Sequence, residues 1–402
     1  MSIDNRVTVE FELRSPAFLN DPAAGFAALR ETGPVAWSRP DQQWMITGYD
    51  AVHATLQNHR CFSNEAYGNG SSSPKLLVLG QDPPIHSAYR RPLNPWMSPG
   101  VVERLGPKIE AYSVELFDRV VSRGRCDIVI DYGNPYPALV VLELCGLDTD
   151  RWREFAEPNH ALQYAKPGSP DMERAVAGMY WIAGEIGRVA ALRRDDPRDD
   201  LVSELVATEV NGAPIPIEDV VGIVLTVVGG GVDTTTSLFA NAVRYLDQDR
   251  DARQRLLDRP GLIPSACEEF LRYYTPAQVL SRSVTAEVEV AGQHLCPGER
   301  VGVAVAAANR DSAQFPDPDA VVLDRSPNRH AAFGLGIHRC VGSNLARAMI
   351  QTMLAHLLDR LPDYTLDGGE RHYGGPIVNG WVNMPIRYTP GLPRGSGVQL
   401  PT

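Results

Sequence analysis

One stretch of the chain, residues 217–247, is apolar almost throughout and predicts the longest helix. Between residues 220 and 242 its only charged residue is Asp233. At 1.5 Å per residue such a helix would be about 45 Å long, the width of a whole domain. A transmembrane helix is the alternative for an apolar segment of this length.

Three consecutive glycines, residues 229–231, interrupt this apolar stretch. Each interior glycine costs a helix about 1 kcal/mol relative to alanine, so we expect another group to lie against the backbone there. In a membrane, these glycines, Asp233 and the threonines 234–236 would lie at the middle of the bilayer, and no second span is visible. We therefore favour a buried helix of a globular protein.

The remaining periodicity predicts a mainly α-helical protein with a smaller β region, an α+β fold in one domain of residues 1–402. Amphipathic spacing and flanking turn residues indicate further helices at 23–30, 49–58, 101–123, 138–145, 151–162, 172–194, 200–209 and 345–358, and another directly after 82–84. The helix-rich core is predicted at 82–272 and 333–360, and the β-rich parts at 30–50, 282–306 and 376–388. Residues 62–81 are rich in Gly, Ser and Pro and predict a long, functional loop.

Composition narrows the class of protein. The net charge of −11 argues against a general nucleic-acid binder. The N-terminal residues contain no apolar run, so we expect neither a secretory signal nor a membrane anchor. Six scattered cysteines without a C-x-x-C pair indicate a reduced, cytoplasmic compartment rather than a disulfide framework or a zinc site.

A glycine-rich loop, residues 333–342, carries Cys340 to the start of a predicted helix. Converging backbone N–H groups stabilise a thiolate, which is the form of cysteine that binds metals. Gly334 and Gly336 let the backbone approach a flat ligand closely and tolerate positive φ. The loop therefore predicts a thiolate ligand, with a buried and inert cysteine as the alternative.

This loop resembles the haem-thiolate loop of the cytochrome P450 family and matches its pattern F-G-x-G-x-H-x-C-x-G at every position. Three further motifs follow the family's order along the chain. They are H-x-x-x-R at His86 and Arg90, G-G-x-D-T ending at Asp233 and Thr234, and E-x-x-R at 269–272. The resemblance covers nearly the whole chain and implies a triangular, helix-rich fold with a long central distal helix.

Two of these motifs have a plainer explanation when each is taken alone. His86 and Arg90 are spaced i, i+4 and could form a solvated basic face. Glu269 and Arg272 are spaced i, i+3 and could form a surface salt bridge worth a few tenths of a kcal/mol. The order of the motifs along the chain favours the family interpretation over both.

The resemblance implies haem b as cofactor, with Cys340 as the axial ligand of its iron. The other implied cofactor-binding residues, in the loop, around the propionates and beside the oxygen site, are His86, Arg90, Arg282, His338, Phe333, Gly334 and Gly230. Asp233 and Thr234 match the acid–alcohol pair that delivers protons to oxygen, and the two threonines that follow would add polar groups near that site.

Glu269 and Arg272 match the family's structural ion pair, for which Arg325 is the predicted third member and Arg329 the second choice. The predicted substrate pocket is mostly apolar and is lined by Val228, Val232, Ala277, Gln278, Val279, Val378, Asn379 and Trp381. Residues around 162–168 match a mobile lid element on resemblance alone.

The implied reaction is the insertion of one atom of O₂ into a mid-sized, hydrophobic organic substrate. Electrons would come from NAD(P)H through a reductase and a separate [2Fe-2S] or similar ferredoxin, which could meet a cationic patch of Arg91, Arg104, Lys108, Arg339 and Arg347. We expect a monomer that binds neither nucleic acid nor membrane. The alternatives are a haem-thiolate peroxygenase, coupling enzyme or isomerase, and a non-catalytic haem sensor.

Overall fold

The computed structural model describes residues 6–65, 76–373 and 378–400 of the chain. In these ranges the helices are α1 Pro16–Asn20, α2 Pro22–Glu31, α3 Tyr49–Gln57, α4 Ile85–Trp96, α5 Pro99–Val120, α6 Pro135–Cys145, α7 Trp152–Tyr164, α8 Pro170–Asp195, α9 Leu201–Ala207, α10 Ile217–Gln248, α11 Arg250–Asp258, α12 Ile263–Tyr274, α13 Val305–Ala308 and α14 Ser343–Arg360. The mainly α-helical architecture with small sheets agrees with the predicted fold class.

The strands are β1 Thr8–Val9, β2 Val35–Ser38, β3 Gln43–Ile46, β4 Phe62–Ser63, β5 Arg125–Asp127, β6 Glu209–Val210, β7 Ala213–Pro214, β8 Val279–Val284, β9 Val288–Val290, β10 Gln293–Leu295, β11 Arg300–Ala304, β12 Thr365–Leu366, β13 Arg371–Tyr373, β14 Gly380–Asn383 and β15 Pro385–Arg387. The largest sheet has the order β1-β2-β3-β11-β8-β4. A second sheet joins β12, β15 and β5, and three two-stranded pairs complete the described strands.

Helix α10 is the centre of the main hydrophobic core. It packs against α6, α7, α8 and α14. An apolar window of this helix has the hydropathy of a membrane span, but 67% of that window is buried inside the fold. A helix covered in this way by other helices is the core element that the sequence favoured over a transmembrane segment.

Two smaller hydrophobic clusters lie on the largest sheet. One contains Trp44, Ile46 and Val301, with Leu335 of the cysteine loop packed against it. The other contains Phe18, Met45 and Val279. In β8, which pairs antiparallel with β11, Arg282 lies opposite Val301, and the sheet thereby fixes the backbone that carries this arginine.

Several short strands were not anticipated. Strands β5 and β6 lie within the region 101–210 that was expected to be helical, and the predicted helix 200–209 ends earlier, at Ala207. Strand β13 was also missed. Part of the predicted loop 62–81 and of the predicted β region 376–388 falls on residues 66–75 and 374–377, which lie outside the described residues.

Candidate functional site

The loop that precedes α14 holds Cys340 in a fixed backbone position. The N–H of Cys340 donates to the carbonyl of Phe333 over 2.7 Å, and Gly334 has a φ of +66°. Gly336 has a φ of +69°, and a Cβ there would lie 2.5 Å from the carbonyl oxygen of Leu56 in α3. A side chain at Gly336 would therefore force the loop away from α3.

The Cys340 side chain is accessible to solvent, although protein atoms surround most of it. This enclosure raises the pKa of the thiol, and the N–H of Gly342 and the guanidinium groups of Arg90, Arg339 and Arg347 act in the opposite direction. The local groups favour the thiolate without outweighing desolvation. A bound metal ion would add the positive charge that removes the proton.

Two side chains beside the loop, Arg347 and His330, share one carboxylate, Glu268 of α12. Arg347 donates to Glu268 over 2.7 and 2.9 Å, and His330 lies 3.2 Å from it. Burial tends to raise the pKa of Glu268, but hydrogen bonds from His330 and Arg347 outweigh it and lower the pKa to about 2. The guanidinium of Arg347 also lies 4.5 Å from the ring centroid of Phe333. Glu268 thus anchors the cysteine loop, a role that the sequence did not indicate.

The adjacent carboxylate, Glu269, has different partners. Arg272 donates to both of its oxygens over 2.7 and 2.8 Å, and both side chains are 0% exposed. Arg325 donates to the same oxygens over 3.1 Å, and the amide of Asn328 adds a further bond. The guanidinium of Arg272 also donates to three carbonyls, those of Asn309, Pro318 and Ala320. This is a buried ion-pair network, not a surface salt bridge, and it contains Arg325 rather than Arg329.

Two histidines and two arginines gather next to the cysteine loop. The rings of His86 in α4 and His338 are 4.3 Å apart, and both ring nitrogens of His86 are buried without a hydrogen-bond partner among the described residues. Burial and the charge of Arg90 lower the pKa of His86 to about 4. Burial, His86 and Arg282 lower the pKa of His338 to about 3. Arg90 donates to the carbonyl of Arg339 over 2.5 Å.

This cluster has the chemistry of an anion site. Buried imidazoles held neutral beside guanidinium groups would regain their protons if negative charge were placed among them. The two carboxylates of a haem would supply that charge, and charge-assisted hydrogen bonds suit them. His86, Arg90, Arg282 and His338 therefore fit a dianionic cofactor at the side of an accessible thiol.

The three glycines of α10 face three different surroundings. A Cβ at Gly229 would lie 3.3 Å from Oδ1 of Asn159 in α7, and one at Gly231 would lie 2.8 Å from Val141 in α6. A Cβ at Gly230 would meet no atom of the described residues within 4 Å, and Gly230 is exposed in the middle of a buried helix. Two glycines thus allow close helix packing, and Gly230 borders open space that could admit a ligand.

The predicted acid–alcohol pair is in place on α10, but each side chain is bonded elsewhere. Asp233 is 1% exposed, and its Oδ1 lies 2.8 Å from Nδ1 of His160. The hydroxyl of Thr234 donates to the carbonyl of Gly230 over 2.8 Å. The hydroxyls of the next two threonines also donate to backbone carbonyls, Thr235 to Gly231 and Thr236 to Gly133 and Val232.

The predicted pocket residues separate into groups. Val228 and Val232 are buried in the main core on α10, and Ala277 pairs with Val378 in an isolated bridge. The Oε1 of buried Gln278 has no hydrogen-bond partner within the described ranges.

Val279 does not join these residues, whereas Trp381 lies in the same main core as Val228 and Val232. Val279 belongs to the cluster on the opposite side of the sheet, with Phe18 and Met45, so its assignment to the pocket is wrong; alternation along β8 turns it away. Trp381 donates to the side chain of Asn241, two turns beyond Thr234, and packs in the main core. Asn379 lies beside α10, where its carbonyl accepts from Ser237 over 2.5 Å.

Two members of the predicted cationic patch are neutralised by carboxylates. Arg347 is bound to Glu268, and Lys108 lies 3.4 Å from Glu143. Arg91, Arg104 and Arg339 are exposed. The exposed positive charge on this side is therefore smaller than the sequence suggested.

Known proteins with similar sequences and structures share one family. The family model described as Cytochrome P450 matches residues 187–362. Mycinamicin IV hydroxylase/epoxidase of Micromonospora griseorubida is 32% identical over 382 residues, which cover 90% of this chain and 95% of that protein. Steroid C26-monooxygenase of Mycobacterium tuberculosis is 31% identical over 354 residues, covering 86% and 95%. The crystal structure of CYP109E1 from Bacillus megaterium in complex with testosterone matches with a TM-score of 0.84 and 29% identity, over 92% of this chain and 98% of that one.

Proposed function

Because the chain belongs to the cytochrome P450 family and is a haem-dependent monooxygenase, we propose that it inserts one oxygen atom of O₂ into a mid-sized, largely hydrophobic organic substrate. The observation that carries the proposal is a combination. An accessible cysteine lies beside a cationic cluster whose imidazole nitrogens have no hydrogen-bond partner among the residues described, and the long helix α10 exposes Gly230 in its middle.

We assign the cofactor haem b to this site. Cys340 would bind its iron, and His86, Arg90, Arg282 and His338 would hold its propionates. When bound, the haem would supply the activation of O₂, which a thiolate ligand favours by donating electron density. Phe333 and Arg347 keep the loop in place, and Gly334 lets its backbone turn.

The residues of α10 would handle oxygen and protons. Gly230 leaves room for a small ligand, and Thr234 lies one turn further along the same helix. In the described state the Thr234 hydroxyl donates to a carbonyl, so it would have to rotate to donate toward the cofactor side. Asp233 would pass protons to that position, a contribution typically worth about 10²–10⁴-fold in rate.

The substrate class is inferred from the character of the predicted pocket residues. Val228 and Val378 are apolar and favour a hydrophobic molecule, and Gln278 offers one polar contact. Relatives are named for mycinamicin, a steroid and linalool, which agrees with hydrophobic substrates of varied size. We expect hydroxylation or epoxidation of such a compound.

We further propose that electrons reach the haem from NAD(P)H through a reductase and a ferredoxin, and that the protein is a cytoplasmic monomer. Exposed Arg91, Arg104 and Arg339 would meet the acidic carrier, because Arg347 and Lys108 are already paired. The docking surface would then lie on the side of the cysteine loop.

The test is a spectral screen of hydrophobic compounds against the haem-loaded protein, followed by turnover with ferredoxin, reductase and NAD(P)H. We expect a bound compound to yield an oxygenated product that carries one atom from O₂. Thr234→Ala should keep substrate binding but release more peroxide and less product per NAD(P)H, with Thr235→Ala as the matched control. Equal coupling in both variants, or product formed only with added peroxide, would favour a peroxygenase or a coupling enzyme instead.

A further inference from the structure

A histidine outside the recognised motifs contacts the acid of α10. His160 lies in α7, 73 residues before Asp233, and its Nδ1 is 2.8 Å from the Asp233 carboxylate. The two side chains are 8% and 2% exposed. The neighbouring Asn159 lies against Gly229, so α7 and α10 are closely packed at this point. The contact is a built feature of the interior and not a chance surface pair.

Each side chain of the pair has a second polar atom that is not used in the contact between them. His160 Nε2 and Asp233 Oδ2 are buried and have no hydrogen-bond partner in the described parts of the chain. Buried polar atoms in native proteins are nearly always bonded, either to protein or to ordered water. These two atoms lie at opposite ends of one hydrogen-bonded pair. A proton could therefore enter the pair at the imidazole and leave it at the carboxylate.

Two tyrosine rings lie near the His160 imidazole. His160 lies 5.3 Å from Tyr164 and 6.0 Å from Tyr373, measured between ring centroids, and Arg371 lies over Tyr164 at 5.5 Å. Tyr164 is half-buried, and Tyr373 is nearly buried. The groups that face His160 are therefore Asp233 on α10, Tyr164 on its own helix and Tyr373 on β13, with Arg371 one ring beyond. Arg371 is exposed to solvent, and Tyr164 is partly exposed.

Resting on the function proposed above, we propose that His160 is a positioning residue that feeds protons from solvent to Asp233. Imidazole can accept a proton on one ring nitrogen and release another from the second. A guanidinium or ammonium in the same place could hold the carboxylate but would not exchange protons at neutral pH. His160, which can exchange protons, is the residue of α7 that bonds Asp233 of α10.

The proton balance is simple. Each oxygen insertion takes two electrons from NAD(P)H and two protons, and it releases one water. A proton from solvent adds to Nε2 of His160, and the proton on Nδ1 passes to Asp233 Oδ1. The Asp233 carboxyl then releases a proton towards the oxygen site, and a flip of the imidazole ring returns an N–H to the carboxylate, so His160 and Asp233 end each cycle unchanged.

The competing explanation is a structural latch that only ties α7 to α10. Two substitutions separate the two roles. His160→Gln keeps a donor to Asp233 and lacks an exchangeable proton relay, and His160→Arg keeps a cation that does not release its proton. The control is His294→Gln, an exposed histidine of β10 far from α7 in the sequence.

For the haem-loaded protein, we expect both His160 variants to retain the substrate spectral shift and to lose at least about tenfold in kcat. The solvent deuterium isotope effect on kcat should rise, because proton supply becomes limiting. Infrared difference spectra should show an altered Asp233 carboxyl band, which Asp233→Asn identifies by its loss. His294→Gln should match the wild type in all three measurements.

A full kcat with an unchanged isotope effect in either His160 variant would overturn the relay. A lowered melting temperature in His160→Gln, together with full activity in His160→Arg, would establish the latch instead. If both variants fail to fold, an Asp233 band in the wild type that does not respond to solvent deuterium or pH would overturn the proposal. If the wild type forms no product with any substrate, the proposed function itself fails.

Discussion

The buried carboxylates on the two sides of the site differ in how completely they are hydrogen-bonded. Around the cysteine loop, Glu268 and Glu269 each receive hydrogen bonds from at least two other side chains. On α10, Asp233 has one side-chain partner, and its second oxygen has none among the described residues. A metal ligand must be held rigidly, and a saturated network does this. Moving protons requires positions that can bind and release water, and an incomplete network leaves them.

On the side of the cysteine loop, the largest effect is expected from replacing the thiol of Cys340. Cys340→Ser should remove thiolate ligation and all monooxygenase activity, because serine cannot replace the thiolate as a donor to iron. The reduced, CO-bound wild type should absorb at the wavelength typical of thiolate ligation, and the mutant should not. Cys61→Ser, at a half-buried cysteine outside the loop, is the control and should keep the band. A retained band in Cys340→Ser would mean that another cysteine binds the iron.

The next largest effect is expected from Glu269→Ala. It would leave Arg272 and Arg325 without their carboxylate, and removing one partner of a buried pair costs about 3–5 kcal/mol. Urea unfolding and haem content should both show the loss. Glu154→Ala breaks an i, i+3 pair with Arg151 that is exposed on both sides and should cost only a few tenths of a kcal/mol. Similar losses in the two variants would contradict the difference between buried and surface pairs.

The contribution of Glu268 to stability should depend on pH. Its pKa is lowered from 4.5 to about 2 in the folded protein, so its stabilisation is present above pH 4.5 and is lost as the pH falls towards 2. Glu268→Gln should therefore cost stability near neutral pH, at most roughly 3 kcal/mol. The difference from the wild type should shrink as the pH falls from about 5 to about 3.

Unfolding by urea at several pH values measures this difference. The exposed Glu289→Gln serves as control and should track the wild type throughout. A stability difference that stays constant with pH would show that Glu268 does not act through its charge.

The elements with strong periodicity could be predicted from the sequence. The apolar stretch 217–247 became α10, Ile217–Gln248, because burial on most sides repeats along a long helix. Strand β5 has three residues and pairs with β15, which brings Cys126 opposite Ile386. So short a segment carries no periodic signal of its own, and its partner lies far away in the sequence.

The same limit applies within the site. Arg325 could be anticipated because its motif and chain order pointed to Glu269, which the structure places beside it. Glu268 to Arg347 and His160 to Asp233 join residues 79 and 73 positions apart, and nothing local marks either contact. The only hint of the Glu268 contact in the sequence was that a second carboxylate stands next to Glu269. Because successive helix positions point in different directions, Glu268 could be expected to bind a partner other than that of Glu269.

The smallest effects should come from two neighbouring glycines of α10, and they should have opposite signs. Gly231→Ala would place a Cβ 2.8 Å from Val141, an overpacking that typically costs about 1–3 kcal/mol. Gly230→Ala would meet nothing within 4 Å and should stabilise the helix by about 0.5–1 kcal/mol while weakening the substrate spectral shift. Thermal unfolding and substrate titration of both variants measure this, and a loss of stability in Gly230→Ala equal to that in Gly231→Ala would mean that no open space borders α10.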